Sequence, residues 1–321
     1  MSTKHVFDDA TGLVEKACLG VASTNPDLRF FAHHKVLYNA AHPRDKVAIL
    51  AGGGAGHEPA FSGLVGSGLG TVAVSGDVFA SPSSKQICSG VDLAPTDKGI
   101  VTIVLNYTGD CLNFGLASEK ARSAFHSEGK GRDIEMVIVG DDVSVGRSKG
   151  GLVGRRGLTG AAFTAKVLGA ASEKGDDVQK IAHLGRTMVK NFVTVGSSLD
   201  HCHVPGRSTD PKERGALSQS AVEIGMGIHN EPGAKHIENK PSGEDLIKEM
   251  LELLLREDDP ERSFVKFNKD DDPVLIINNL GGMSTIELGA IAAEARTQIE
   301  RDWNLRLSRV YCGTYVTSLN A

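Results

Sequence analysis

His229 is the residue whose setting most directly suggests chemistry. It stands in GMGIHNEPGA (225–234), between a short apolar run and the turn signal NEPG. A neutral imidazole that is held in one tautomer leaves its other nitrogen free to attack a carbonyl carbon. A stiff turn, together with the carboxylate of Glu231, could hold the ring in this way. The alternative is a structural histidine in a hairpin, and the pattern of residues alone leaves both interpretations open.

A second candidate site lies where an apolar run enters a glycine cluster, in ILAGGGAGHEPA (49–60). Gly53 and Gly54 could present backbone N–H groups to an oxygen-rich ligand, and His57 stands at the mouth of the loop. The sequence is neither a P-loop nor a good dinucleotide fingerprint, because no Lys-Ser/Thr follows and His-Glu-Pro interrupts the helix start. A plain glycine turn is the alternative.

Asp110 follows another apolar run, in VLNYTGDCLNFG (104–115). In an open α/β sheet, ligands bind beyond the carboxyl ends of the strands, so Asp110 and the glycine cluster are expected at the same edge. There the carboxylate could act as a general base for a hydroxyl group. The alternative is a helix N-cap, a position where aspartate is favoured.

Three other segments carry possible metal ligands, but we predict no metal site in any of them. His201, Cys202 and His203 are adjacent, yet alternate side chains of an extended chain point apart and no second His or Cys pair lies at ligand spacing. The segment 139–160, with paired aspartates, glycines and several basic residues, could hold a metal or cover a site, and a solvated surface loop with balanced charge is the alternative. We favour a structural or lid role for it. The acidic run at 270–272 precedes a predicted strand and is interpreted as a loop.

Composition limits the classes of partner. The chain has 321 residues with 40% hydrophobic and 23% charged residues and a net charge of −5, and it has no basic stripe. These features argue against nucleic acid as a partner, and no apolar run approaches the ~20 residues that span a bilayer. Its five cysteines are scattered and no apolar signal region opens the sequence. We therefore predict a cytoplasmic protein with reduced thiols that interacts with neither nucleic acid nor membrane.

Short apolar runs alternate with amphipathic segments along the chain, which predicts an α/β fold with mixed, largely parallel sheets flanked by helices. Predicted strands are 46–51, 71–76, 99–106, 134–140, 192–198, 221–228, 273–280 and 305–319. Predicted helices are 9–22, 83–91, 111–126, 158–172, 176–190, 242–257 and 284–301. We place a domain boundary near 185–195, which gives an N-terminal α/β domain (1–190) with Gly53 and Asp110 and a C-terminal α/β domain (191–321) with His229.

Seven motifs, taken in order, resemble the substrate-binding (DhaK-type) domain of dihydroxyacetone (glycerone) kinases, and most closely the eukaryotic, ATP-dependent branch. The resemblance extends from about residue 7 to the end of the chain. The motifs are GGGAGHEP, GDVFASPS, NYTGDCLNFG, GDDVSVGRSKGGLVGRRGLTG, GSSLDHCHVPGR, EIGMGIHNEPG and NNLGGMS.

This resemblance implies a role for each candidate residue. The histidine that matches His229 bonds covalently to the ketone carbon of dihydroxyacetone and forms a hemiaminal. The aspartate that matches Asp110 acts on the hydroxyl that attacks the γ-phosphate, and the histidine that matches His57 hydrogen-bonds the substrate and assists proton transfer. Backbone near Gly53 and Gly54 lines the pocket. Glycerol has no carbonyl and cannot form the adduct, which implies selectivity for a small ketose such as dihydroxyacetone, with glyceraldehyde as another candidate.

The resemblance also has limits. Leu105 stands where the family usually has lysine, and Ala55 replaces a common serine. Complete ATP-dependent members carry a second, helical domain that binds ATP and Mg²⁺, so we expect both on a separate domain or subunit and none on this chain. A homodimer is implied by the family. The alternatives are a truncated, non-catalytic ketose-binding sensor or regulatory partner, and a decayed copy that binds no ligand.

Overall fold

The computed structural model describes residues 3–129, 132–151 and 153–321. Its strands are β1 (Leu28–Phe31), β2 (Val36–Asn39), β3 (Ala48–Ala55), β4 (Val72–Val78), β5 (Ile100–Leu105), β6 (Ile134–Val139), β7 (Ser197–Ser198), β8 (Val222–Ile224), β9 (Lys235–Ile237), β10 (Val274–Asn278) and β11 (Arg309–Gly313). Its helices are α1 (Leu13–Thr24), α2 (Ser84–Leu93), α3 (Thr108–Glu128), α4 (Arg147–Gly150), α5 (Gly160–Glu173), α6 (Val178–Lys190), α7 (Pro211–Arg214), α8 (Gly243–Leu255) and α9 (Thr285–Asp302).

The contacts divide the chain into two compact units. The first unit comprises Phe7–Gly140 and Arg156–Lys190, and the second comprises Met1–Val6, Asp141–Arg155 and Asn191–Ala321. One division therefore falls between 190 and 191, inside the region where the sequence places a boundary. Among the described residues, no helix is both long and apolar enough to cross a membrane.

A six-stranded sheet forms the centre of the first unit, in the order β1-β2-β4-β3-β5-β6. Strands β4, β3, β5 and β6 run parallel, whereas β1 and β2 pair antiparallel at one edge. Every residue of β5 is buried, as expected for a central strand with both faces covered. Helices α2 and α3 cover one face, where Leu50, Val104 and Phe114 belong to one apolar cluster. Helices α5 and α6 pack on the opposite face.

The predicted α/β fold with a largely parallel sheet flanked by helices is confirmed. Each of the four predicted strands before residue 141 overlaps one of the strands β3 to β6, and the seven predicted helices overlap α1, α2, α3, α5, α6, α8 and α9. The antiparallel strands β1 and β2 were not predicted, and neither were β9 and the two four-residue helices α4 and α7.

The second unit contains two small sheets. Strands β7, β8 and β9 form an antiparallel sheet, and β10 and β11 form a parallel pair. The predicted strand 192–198 is reduced to the two residues of β7, and the predicted strand 221–228 ends at Ile224. Gly225 has a φ of 82°, which takes the chain out of the sheet and into the loop that carries His229.

Segment 141–155 belongs to the second unit, although it lies within the predicted N-terminal domain (1–190). An isolated parallel bridge joins Asp142 to Thr194, and the Val143 N–H donates to the Thr194 carbonyl at 2.9 Å. The guanidinium groups of Arg147 and Arg155 lie 4.4 and 4.3 Å from the ring centre of Phe264. These contacts connect residues that are far apart in sequence. Two domains that are each one continuous segment, as predicted, cannot include such contacts within one unit. Residues 1–6 are grouped with the same unit.

Candidate active site

Gly53 and Gly54 lie at the carboxyl end of β3, and a side chain would meet different neighbours at the two positions. A Cβ on Gly54 would lie 2.8 Å from the backbone nitrogen of Ala80, so only glycine fits there without movement of the chain. A Cβ on Gly53 would lie 3.9 Å from both carboxylate oxygens of Asp110 and 3.7 Å from Phe61 Cε2, which are ordinary contact distances. Gly53 therefore leaves open a space beside the Asp110 carboxylate, and the structure brings these two predicted site residues together.

Asp110 lies in the first turn of α3 and is only 4% exposed. Tyr107 is the N-cap of this helix and the helix begins at Thr108, so the N-cap interpretation of Asp110 is wrong. The carboxylate lies near the positive end of the helix dipole, and a carboxylate in this buried position could accept a proton from a hydroxyl group.

His57 is 2% exposed, and its ring stacks on Phe79 with 5.1 Å between ring centroids and 19° between ring planes. Phe79 has a φ of 58°, and its N–H donates to the carbonyl of Ala55 at 2.9 Å. Glu58, which follows His57 in the same loop, accepts a hydrogen bond from the Gly56 N–H at 2.9 Å, and burial raises the pKa of its carboxyl. The loop thus fixes the plane of the His57 ring. Phe79 was not predicted as a site residue, although the motif GDVFASPS contains it.

Leu105, which replaces the usual lysine of the family, is the last residue of β5 and is 2% exposed. A Cβ on Gly157 would lie 2.7 Å from Leu105 Cδ2, so the leucine side chain packs closely against the Gly157 backbone. Ala55, the other departure, is also buried. Both positions are filled by apolar packing in this chain.

His229 belongs to the second unit, where Glu231 holds it by two hydrogen bonds. The His229 Nδ1 lies 2.8 Å from Glu231 Oε1, and the His229 backbone N–H donates to Glu231 Oε2 at 2.9 Å. An ionised carboxylate can only accept, so the Nδ1 of the imidazole carries a proton, and in the neutral ring the lone pair lies on Nε2. The prediction that Glu231 orients the ring through one nitrogen is confirmed.

The carboxyl of Glu231 remains ionised over the whole physiological range. Burial works to raise its pKa, but the hydrogen bonds from His229 and the electrostatic attraction of its ring outweigh burial and lower the pKa from 4.5 to about 2. Because the carboxylate stays an acceptor, the tautomer of His229 stays fixed. In the neutral form of the ring, Nε2 is a nucleophile suited to addition to a carbonyl.

His201 and His203, on either side of Cys202, have structural partners. His201 Nε2 lies 3.0 Å from Glu223 Oε2, and His203 Nδ1 lies 2.7 Å from the Nε2 of His5. The backbone of Cys202 instead pairs with the side chain of Asn230. Throughout ranges 3–129, 132–151 and 153–321, no group of three or more His, Cys, Asp or Glu side chains is arranged to hold a metal ion.

Comparison with known proteins gives one consistent family. The Dak1 domain matches residues 19–321. A dihydroxyacetone kinase of Pichia angusta is 44% identical over 330 residues, which covers 100% of this chain and 53% of the relative. The triokinase/FMN cyclase of Homo sapiens is 35% identical and covers 99% of this chain and 53% of the relative. The chain thus spans about half the length of these curated relatives.

Solved structures show the same fold. The dihydroxyacetone kinase from C. freundii, determined in complex with AMP-PNP and Mg²⁺, aligns with a TM-score of 0.84 at 30% identity, over 99% of this chain and 56% of that one. The dihydroxyacetone kinase operon co-activator Dha-DhaQ aligns with a TM-score of 0.82 at 28% identity, over 95% of this chain and 89% of that one. The likeness therefore extends to a kinase and to a co-activator.

Proposed function

This chain belongs to the Dak1 domain family, and from that premise we propose that it is the ketose-binding part of a dihydroxyacetone kinase and binds its substrate covalently through His229. The observation that carries the proposal is the hydrogen bond between His229 Nδ1 and Glu231, which places the proton of the neutral ring on Nδ1 and the lone pair on Nε2. The substrate class comes from the relatives, which are named as dihydroxyacetone kinases and as triokinase/FMN cyclase.

The proposed covalent step is addition of an amine to a ketone. The Nε2 lone pair forms a bond to the carbonyl carbon, and the π electrons of the carbonyl move to its oxygen, which takes a proton from solvent water with the assistance of His57. The adduct is a hemiaminal in which the ring carries a positive charge. The Nδ1 proton stays in its hydrogen bond to Glu231, whose carboxylate, with a pKa of about 2, balances that charge.

Asp110 and His57 are assigned the remaining roles on the basis of the family resemblance. Asp110 accepts the proton of the substrate hydroxyl that attacks the phosphoryl donor, and its buried carboxylate beside Gly53 suits this task. His57 hydrogen-bonds the substrate and assists proton transfer, and Gly53 and Gly54 provide the backbone wall of the pocket. Selectivity follows from the covalent bond, because glycerol has the hydroxyl groups but no carbonyl.

The phosphoryl donor belongs to another domain or subunit in this proposal. ATP and Mg²⁺ would supply the transferred group and neutralise its developing charge. The solved relative with AMP-PNP and Mg²⁺ extends well beyond the part that matches this chain, which supports the assignment. We further propose a cytoplasmic homodimer that acts on dihydroxyacetone, with glyceraldehyde as a second substrate.

Dihydroxyacetone labelled with ¹³C at the carbonyl carbon tests the covalent step. We expect a new tetrahedral-carbon signal bound to the protein, and a gain of one substrate mass in native mass spectrometry. Both should disappear in His229→Ala and persist in His236→Ala, a control that removes another histidine from the same unit, one whose side chain is 44% exposed. Glycerol should give neither. Folded wild-type protein without an adduct, or an adduct that survives in His229→Ala, would refute the proposal.

A second experiment separates the kinase from a ketose sensor, the function suggested by the likeness to the co-activator. The chain is mixed with dihydroxyacetone, Mg-ATP and the nucleotide-binding part of a related kinase. A kinase domain should form dihydroxyacetone phosphate, whereas a sensor should form the adduct without the product. Asp110→Asn should keep the adduct and lose the product.

A further inference from the structure

Ser318 makes a buried hydrogen bond next to the proposed nucleophile. Its hydroxyl donates to the carbonyl of Ile228 at 2.7 Å across a sequence separation of 90 residues. Ser318 is 0% exposed and Ile228 is 2% exposed. Water therefore cannot replace the hydroxyl without rearrangement, and removal of the hydroxyl leaves the Ile228 carbonyl without this donor.

The carbonyl that Ser318 binds belongs to the peptide group that leads into His229. The N–H of the same peptide group donates to Glu231 Oε2 at 2.9 Å, so hydrogen bonds hold both ends of this group. A peptide group is planar, and fixing its two polar atoms fixes its plane and the position of the His229 Cα. The ring is then held by the second oxygen of Glu231. Three hydrogen bonds thus determine where Nε2 points.

Asn230 holds the other side of the turn. It has a φ of 63°, and its side-chain amide pairs with the backbone of Cys202, accepting from the N–H at 3.0 Å and donating to the carbonyl at 3.1 Å. This pair gives the motif GSSLDHCHVPGR a structural role next to the His229 turn. The turn is therefore anchored on both sides of His229.

The motif NNLGGMS holds the segment that carries Ser318. Asn278 Oδ1 accepts from the N–H groups of Tyr315 and Val316 at 2.9 and 3.0 Å, and the Asn278 side-chain N–H donates to the Val316 carbonyl at 2.7 Å. The Ser318 N–H donates to the carbonyl of Leu280 at 2.8 Å. These hydrogen bonds fix the backbone segment that carries Ser318, and so they fix the position of its hydroxyl relative to the His229 turn.

We propose that Ser318 is a positioning residue that aims His229 at the carbonyl of its substrate by fixing the peptide group between Ile228 and His229. The inference rests on the proposed function, because it concerns the orientation of that nucleophile. A misaligned nitrogen lowers the population of geometries from which the covalent bond can form. Loss of the hydroxyl should therefore weaken adduct formation in addition to lowering stability.

The test compares Ser318→Ala with Ser172→Ala. Ser172 makes the same kind of bond, from a buried hydroxyl to the carbonyl of Val47 at 2.5 Å, but it belongs to the first unit, which does not contain His229. Both variants should lower the unfolding temperature to a similar extent. In titrations with ¹³C-labelled dihydroxyacetone, Ser318→Ala should weaken adduct formation by about tenfold, the equivalent of roughly one hydrogen bond, and Ser172→Ala should leave it unchanged.

Ser318→Cys, whose thiol is a weaker donor to the same carbonyl, should restore part of the adduct formation that Ser318→Ala loses. It takes the place of the alanine variant if that variant does not fold. Equal adduct formation in the Ser318 and Ser172 variants would overturn the inference. If the wild-type protein still formed the adduct, the proposed function would stand. Absence of an adduct in folded wild-type protein would instead refute the proposed function, and the inference with it. Nitrogen NMR of His229 gives an independent measure, since its Nδ1–H signal should broaden only in the Ser318 variants.

Discussion

Replacement of Glu231 by glutamine tests the electrostatic environment of His229 most directly. The folded protein lowers the pKa of Glu231 from 4.5 to about 2. A carboxyl whose pKa is lower in the folded state stabilises the fold above its unfolded pKa, and this stabilisation is lost as pH falls through the folded value. The difference of 4.5 − 2 at about 1.4 kcal/mol for each pH unit gives an upper bound of about 3.5 kcal/mol. Because the Glu231 side chain is 33% exposed, solvent screening reduces our expectation to about 1–1.5 kcal/mol.

Urea unfolding at several pH values between 7 and 2.5 measures this contribution. Wild-type protein should lose about 1–1.5 kcal/mol of unfolding free energy between pH 5 and 2.5 that Glu231→Gln does not lose, because the variant lacks the contribution already at pH 7. Glu238→Gln is the control, since the Glu238 side chain is 74% exposed, and its pH profile should follow the wild type. Parallel profiles for wild type and Glu231→Gln would show that the carboxylate is not held by His229, and the fixed tautomer would then lose its support.

The remaining predictions concern packing. Gly53→Ala should leave the unfolding free energy unchanged within about 1 kcal/mol but weaken ketose binding at least tenfold, because the new methyl group fills the space beside Asp110. Gly52→Ala should instead destabilise the fold by about 1–3 kcal/mol, since its Cβ would lie 2.4 Å from the backbone oxygen of Val74; urea unfolding and ketose titration of both variants check this contrast. Phe264→Leu removes the ring between two guanidinium groups and should cost about 1–2 kcal/mol in the same assay, and an unchanged unfolding free energy would mean that neither stacking contact stabilises the protein.

The sequence was sufficient for the parts of the fold that have strong periodicity. Strands β3 to β6 are apolar runs that end in glycine or polar clusters, and this pattern predicted both the parallel sheet and the residues at its edge. Strands β1 and β2 carry the mixed sequences LRFF and VLYN with histidines between them, so they lacked such a pattern. Antiparallel pairing with β4 decides their structure, and that contact is not encoded locally.

The candidate site was predictable only where a motif contains both partners. His229 and Glu231 are two residues apart, so their hydrogen bond could be expected from the turn. Phe79 and Ser318 could not be identified in this way. The position of the Phe79 ring depends on a backbone with positive φ, and Ser318 donates to a carbonyl 90 residues away. Long-range contacts of this kind arise from tertiary packing, which no periodicity in the sequence reports.

The long sequence distance between Ser318 and Ile228 has a consequence for the order of events during synthesis. The first unit is complete in sequence at Lys190, so its sheet can form while the rest of the chain is still being made. The turn around His229 emerges from the ribosome some 90 residues before the serine that fixes its peptide group. The nascent protein should therefore have a folded sheet for a period in which the orientation of His229 is not yet fixed. The capacity to bind a ketose should appear only after residue 318 has left the ribosome.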